Sequence, residues 1–123
     1  MHDALELTAT REGDIVVLRP VGDLSWSTAA LLGTWLNEYV RQPAPVTLVD
    51  LSQISALDSS GLSLLVSIHV RLSEAGTVAA FAAPSPSPAR MLEITGLAGR
   101  LPLYDTVQAA RLATGPGPRL ALE

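Results

Sequence analysis

A chain of 123 residues that is 48% hydrophobic and 16% charged suits one globular domain with one core and does not read as disordered. It has no cysteine and only two histidines, His2 and His69, which excludes disulfides and thiolate metal sites and makes a histidine zinc site a poor prospect; no metal and no cofactor are expected. The net charge is −4 and all eight cations are arginines, scattered without a basic stripe, which disfavours nucleic-acid binding. No apolar run reaches membrane-spanning length and the first residues lack a signal-peptide layout, so a cytoplasmic protein with no membrane contact is expected.

In chain order, "ALELTAT" (4–10) alternates apolar and polar residues and predicts a half-buried strand. "REGD" (11–14) carries turn residues, and the β-branched "IVVLRPV" (15–21) completes a hairpin. Pro20 cannot donate to a ladder and belongs at an edge or a strand end. "GDLSWS" (22–27) reads as a loop. Ser25 or Ser27 is expected to cap a helix over about 27–41, with Ala29, Leu32, Leu36 and Tyr39 on its stronger face. Pro43 and Pro45 end it.

"VTLVDL" (46–51) is a continuous apolar run, the mark of a strand buried on both faces. A helix over about 59–75 follows, closed by Gly76. "TVAAFAA" (77–83) predicts another buried strand, and "PSPSP" (84–88) a loop. Ser87 and Pro88 make a cap and first-turn pair for a helix stopping at Gly96. "LPLYD" (101–105) holds a short strand, and Asp105, with Gln108 three residues on, caps a last helix. Residues 115–123 are expected to be a flexible tail after a domain spanning 1–114. Strand–helix alternation after an opening hairpin implies an α/β fold: one mixed sheet of four to five strands with flanking helices.

The chemistry concentrates at "DSSG" (58–61), where a strand gives way to a helix. A helix cap explains Asp58 but not the serines before a glycine. Gly61 in a first helical turn costs roughly 0.5–1 kcal/mol relative to alanine, so close packing or the close approach of another molecule must favour a bare backbone there. A nucleophilic serine needs a base. His69 lies nine residues down the same helix, about 13 Å away, in line with Leu62, Leu65 and Leu72. There is no G-x-S-x-G elbow, and no catalytic residue is expected. A phosphorylation switch is the third reading. Helical phasing places Ser60, Ser63, Ser67, Arg71 and Glu74 on one polar, solvent-facing stripe, and puts Ser59 with Leu62, Val66 and Val70 on a buried one. A hydroxyl at a helix N-terminus is also where a phosphate can be held.

These residues resemble the STAS domain, and most of all the bacterial anti-sigma factor antagonists (anti-anti-sigma factors). "DSSGL" (58–62) follows the segment "VTLVDLSQISAL" (46–57), "VGDLSWSTAALL" (21–32) looks like the family's G-[ED]-L-D segment, and "SPSPARMLEITGL" (85–97) resembles the segment ending in hydrophobic-x-G-L. The likeness covers about residues 4–113. It implies that the unphosphorylated protein binds an anti-sigma factor that is also a serine kinase, so freeing the sigma factor. Phosphorylation of the second serine, Ser60 (Ser59 being the less favoured candidate), switches binding off, and a serine phosphatase restores it. The protein is then a substrate and a switch, not an enzyme.

The resemblance places Asp58 and Gly61 around the phosphosite and Asp23, Ser25, Trp26, Ser27, Ser60 and Ser63 on the partner surface, with a monomer or weak dimer as the expected state. Ser25 stands where the family usually has an acid. Trp26 is either a partly buried loop residue or an exposed anchor. Segments 22–28 and 58–63, with the 84–88 loop, are expected to converge at one end of the sheet. Two other roles are compatible with the fold: a scaffold subunit of a signalling or transporter complex, and a nucleotide-binding domain, although no Gly-rich phosphate loop is present.

Overall fold

The computed structural model describes residues 4–114, so His2 and the expected tail lie outside the described residues. Strands β1 (Leu5–Glu12) and β2 (Ile15–Leu24) form an antiparallel hairpin. Then follow α1 (Ala29–Tyr39), β3 (Val46–Asp50), β4 (Ile54–Leu57), α2 (Ser59–Glu74), β5 (Val78–Ala82), α3 (Pro86–Ile94), a short 3-10 turn (Leu97–Gly99), β6 (Leu103–Tyr104) and α4 (Val107–Thr114). The sheet runs β1-β2-β3-β5-β6, and β4 pairs with β2 off this path. Strands β2 to β6 are mutually parallel, so their carboxyl ends point one way.

The mixed α/β sheet is as expected, with a sixth strand that the sequence pattern did not show. β4 has only four residues, and its burial does not alternate: Ile54 and Leu57 are buried, Ser55 and Ala56 exposed. β2 is also longer than expected, so Gly22 to Leu24 are strand and not loop. Its first half pairs with β3 (Ile15–Leu18 against Val46–Val49) and its last residues with β4 (Gly22–Leu24 against Ile54–Leu57). Pro20 falls in the gap between these partners, inside the strand and not at its end. Asp23 donates its N–H to Ala4 on the β1 side and Gly22 to Gln53 on the other, so the even-numbered positions of β2 face β3 and β4. The N–H that Pro20 lacks would have pointed into that gap, where no ladder bond is lost.

Three helices cover one face. Leu32 and Leu36 of α1, Leu62, Leu65, Ile68 and Leu72 of α2, and Leu92 of α3 meet Leu18, Val49 and Phe81 of the sheet. Each fully buried leucine or isoleucine contributes roughly 1.5–3 kcal/mol of apolar burial. α4 covers part of the other face, setting Ala110 against Ile15, Val17, Val46, Leu48, Ala80 and Ala82. β3, central between these layers, is buried along its whole length, as its unbroken apolar run predicts.

Three cap expectations are corrected. The N-cap of α1 is Thr28, and neither Ser25 nor Ser27 fills that position. α3 starts at Pro86 after Ser85, one Ser-Pro unit earlier than expected; both prolines are tolerated in a first turn, so the motif alone does not choose. At α4 the Thr106 hydroxyl, not Asp105, accepts the Ala109 N–H at 3.0 Å, which moves Gln108 out of capping-box register. α2 is capped by Asp58, as expected.

At the end of β3, Asp50 is only 4% exposed. It accepts the Ser52 N–H at 3.0 Å and the Arg19 Nε–H at 3.1 Å. Burial pushes its carboxyl up, but the Ser52 hydrogen bonds and the Arg19 guanidinium outweigh that and leave it below its ordinary value. A carboxylate depressed in the folded state stabilises the fold above the unfolded-state value of about 4, and that contribution is lost as pH falls through the lower folded value. Thermal unfolding should therefore shift to lower temperature below about pH 4. Asp50→Asn should lower stability at neutral pH and flatten the acid limb, as melting curves across pH would show.

Candidate functional site

Leu24 and Leu57 are register partners at the carboxyl ends of β2 and β4. The chain leaves both strands at the same level, so the turn at 25–28 and the start of α2 are adjacent although 33 residues apart in sequence. β4 makes this possible by carrying the chain from the end of β3 to the far end of β2. The 84–88 loop does not reach the same place. Ser85 donates its hydroxyl to Ile54 O at 2.5 Å, at the opposite end of β4, about 10 Å from Leu57 at 3.3 Å per residue.

Asp58 joins the two segments. One carboxylate oxygen accepts the Gly61 N–H at 3.0 Å, capping α2, and the other accepts the Trp26 N–H at 3.0 Å. Its own N–H donates to Leu24 O at 3.3 Å. The Gly61 N–H is the main cause of an Asp58 carboxyl held below its ordinary value; burial opposes this, and the Trp26 and Ser60 N–H groups add to it. Asp58 is therefore an anion at neutral pH.

Gly61 is explained by packing within the chain. A Cβ on it would lie 2.3 Å from the backbone oxygen of Leu24, 2.8 Å from Leu57 Cδ1 and 2.9 Å from Leu24 Cγ. The first turn of α2 thus rests directly on the end of β2, and only a residue without a side chain fits there.

Trp26 is 77% exposed, so it is not a partly buried loop residue. Leu31, 49% exposed, adds apolar surface at the first turn of α1. The turn beneath is ordered by Thr28, a buried residue whose role does not stand out in the sequence beside the serines on either side of Trp26. Its hydroxyl accepts the Ser25 N–H at 2.9 Å and donates to Asp23 O at 2.8 Å. The Ser25 and Ser27 hydroxyls lie 3.1 Å apart. Asp23 is half-buried in the last residues of β2.

The serines of α2 do not divide as phasing suggested. Ser59 is exposed, Ser60 is half-buried and Ser63 is exposed. Ser59 is the first residue of α2, with no preceding turn to hold it against the sheet, so the stripe it was assigned to is buried at Leu62 and open at Val70. Ser60 shares a face with Leu64, Ser67 and Arg71, and that face turns toward α1: Arg71 Nη1 donates to Asn37 Oδ1 at 2.6 Å, and a Cβ on Gly33 would lie 3.9 Å from Leu64. Exposure alone does not select between the two serines, and both are within reach of solvent. His69 is half-buried on α2, its Nδ1 buried and without a hydrogen-bond partner among the described residues.

A groove of about 550 Å³ lies elsewhere, between α3, the 3-10 turn and β6, lined by Pro84, Arg90, Glu93, Leu103 and Asp105 among others. One arginine faces two carboxylates there, a poor match for a polyphosphate. Among the described residues no helix is long and apolar enough to cross a membrane.

The STAS domain family model matches residues 6–110. A protein of Thermotoga neapolitana named as an anti-sigma factor antagonist homologue is 31% identical over 98 residues, 79% of this chain and 87% of that one. The crystal structure of an anti-sigma factor antagonist from Mycobacterium paratuberculosis superposes with a TM-score of 0.83 at 26% identity, covering 90% of this chain and 94% of that one. The Bacillus protein SpoIIAA has the same fold in its unphosphorylated form (TM-score 0.71, 20% identity, 89% and 95% covered) and in its phosphorylated form (0.65, 21%, 87% and 96%).

Proposed function

From a chain that belongs to the STAS domain family and has relatives named as anti-sigma factor antagonists, we propose a protein-binding switch: the unmodified protein binds an anti-sigma factor and releases the sigma factor, and phosphate on Ser60 ends that binding. The observation that carries this reading is the junction itself. Ser60 lies in the first turn of α2, half-buried, two residues after Asp58, and Asp58 fastens that turn to the segment carrying the exposed Trp26. The binding partner doubles as an ATP-dependent serine kinase, and a serine phosphatase reverses the modification. The protein acts as substrate and switch in this reading; among the described residues the one histidine, His69, lies about 13 Å from Ser60 along the same helix, too far to serve it as a base.

The test is mass spectrometry of the purified protein after incubation with ATP and each candidate serine kinase of the same genome. Phosphate is expected on Ser60, with none added to Ser60→Ala and full modification of Ser59→Ala. Modification that persists in Ser60→Ala moves the site to Ser59, and no modification by any candidate ends the switch.

Trp26 serves as an anchor for the partner. Trp26→Ala is expected to weaken the complex by about 30-fold, the loss of about 2 kcal/mol that marks a hot spot. Its melting temperature should stay within about 2 °C of the parent, because little of the ring is buried in the free protein. Titration calorimetry and thermal melts separate these outcomes. A collapse in melting temperature would make Trp26 a structural residue.

A further inference from the structure

We propose that Asp58 is a positioning residue that couples the charge at position 60 to the pose of Trp26. Trp26 is largely exposed, so packing does little to hold its ring. Its place depends on the backbone of the 25–28 turn. Ser25 and Thr28 are tied to each other, through Ser25 N–H to Thr28 Oγ1 and Thr28 N–H to Ser25 O. Trp26, between them, is tied across to α2 by its N–H to Asp58 Oδ2. The Asp58 carboxylate is thus shared between a helix cap and the Trp26 turn. An anion on the Ser60 side chain would draw on the same few N–H donors and repel the carboxylate beside it. The arrangement relaxes by moving Asp58, and Trp26 then loses its acceptor. This deepens the switch reading above, and rests on it for the source of the charge: modification would both charge the surface and loosen its aromatic anchor.

The test uses Trp35→Phe as the background, which leaves Trp26 as the only tryptophan of two and keeps an aromatic ring stacked on Tyr39. Asp58→Asn retains one acceptor and a good N-cap residue, but can no longer accept from both Gly61 and Trp26. Ser60→Glu places a charge without any kinase. In both variants the Trp26 amide should exchange with solvent at least about tenfold faster, as expected on losing one charge-assisted hydrogen bond, and Trp26 fluorescence anisotropy should fall. Melting temperature and amide protection of the β3 residues serve as controls for global unfolding. Unchanged exchange and anisotropy in Asp58→Asn would overturn the positioning role. A loosened Trp26 in Asp58→Asn with an unaltered one in Ser60→Glu would overturn the coupling. Neither outcome depends on whether a kinase modifies Ser60, so failure here is distinct from failure of the switch.

Discussion

Gly61→Ala should lower the melting temperature by roughly 6–12 °C, even though alanine is the better helix former. The intrinsic gain for alanine in a helix is about 0.5–1 kcal/mol. Against it stands a methyl group placed 2.3 Å from a backbone oxygen of β2 and under 3 Å from the side chains of two buried leucines. Overpacking of this kind costs about 1–3 kcal/mol and more where the neighbour cannot move. Leu24 O is backbone at the end of a paired strand, so α2 must lift away from it. The net loss is about 2 kcal/mol or more, at a few degrees per kcal/mol for a domain of this size. Lifting α2 also pulls Asp58 from Trp26, so partner binding should fall with stability. Thermal melts of Gly61→Ala and Ser60→Ala side by side check this, since Ser60→Ala should melt within about 2 °C of the parent. An unshifted melting temperature for Gly61→Ala would show that α2 does not rest on Leu24.

Phosphorylation of Ser60 should weaken the partner complex at least about a hundredfold while leaving the fold in place, with any loosening confined to the Trp26 turn. The phosphate adds about −1.5 to −2 charge at neutral pH. By helical geometry it lies roughly 6 Å from the Asp58 carboxylate, two residues away. In water that repulsion is only about 1–1.5 kcal/mol, and the N-terminus of α2 returns about 0.3–1 kcal/mol. The free protein should therefore tolerate the modification. Inside a complex the interface must desolvate a near-dianion, at a cost of several kcal/mol where no cation faces it. A hundredfold loss needs only about 2.7 kcal/mol. Ser60→Asp should mimic the off state in part, with one charge in place of nearly two, and Ser60→Ala should bind constitutively. Partner affinity and melting temperature, measured on phosphorylated and unmodified protein, decide the matter. Equal affinities would end the switch, and lost affinity with global unfolding would mean that the phosphate acts by breaking the fold.

Much of this molecule was legible from local pattern. The alternation in β1, the unbroken apolar run of β3, the cap at Asp58 and the presence of an unusual glycine at position 61 all depend on neighbours within a few residues. The misses have separate physical causes. β4 is four residues long without alternation, and it exists as a strand because the end of β2 is there to pair with it. Thr28, Ser85 and Thr106 took the capping positions expected of Ser25 or Ser27, Ser87 and Asp105, because several hydroxyl and acid residues stand within two positions of each helix start. Helical phasing puts Ser59 on a buried stripe because it assumes a full turn on either side, which a first helical residue lacks.

By itself the sequence determined that the fold is α/β, that the chain has no cysteine, that Asp58 starts a helix, and that Gly61 needs a bare backbone. These follow from composition, periodicity and local hydrogen-bonding capacity. Only the tertiary structure decided why Gly61 must be bare, which way Trp26 points, and that Asp58 holds both. The reason is that each of these rests on contacts between segments more than thirty residues apart, Leu24 with Gly61 and Trp26 with Asp58. Such contacts are set by the register of β4 on β2, and the side-chain pattern of either segment alone carries no record of it.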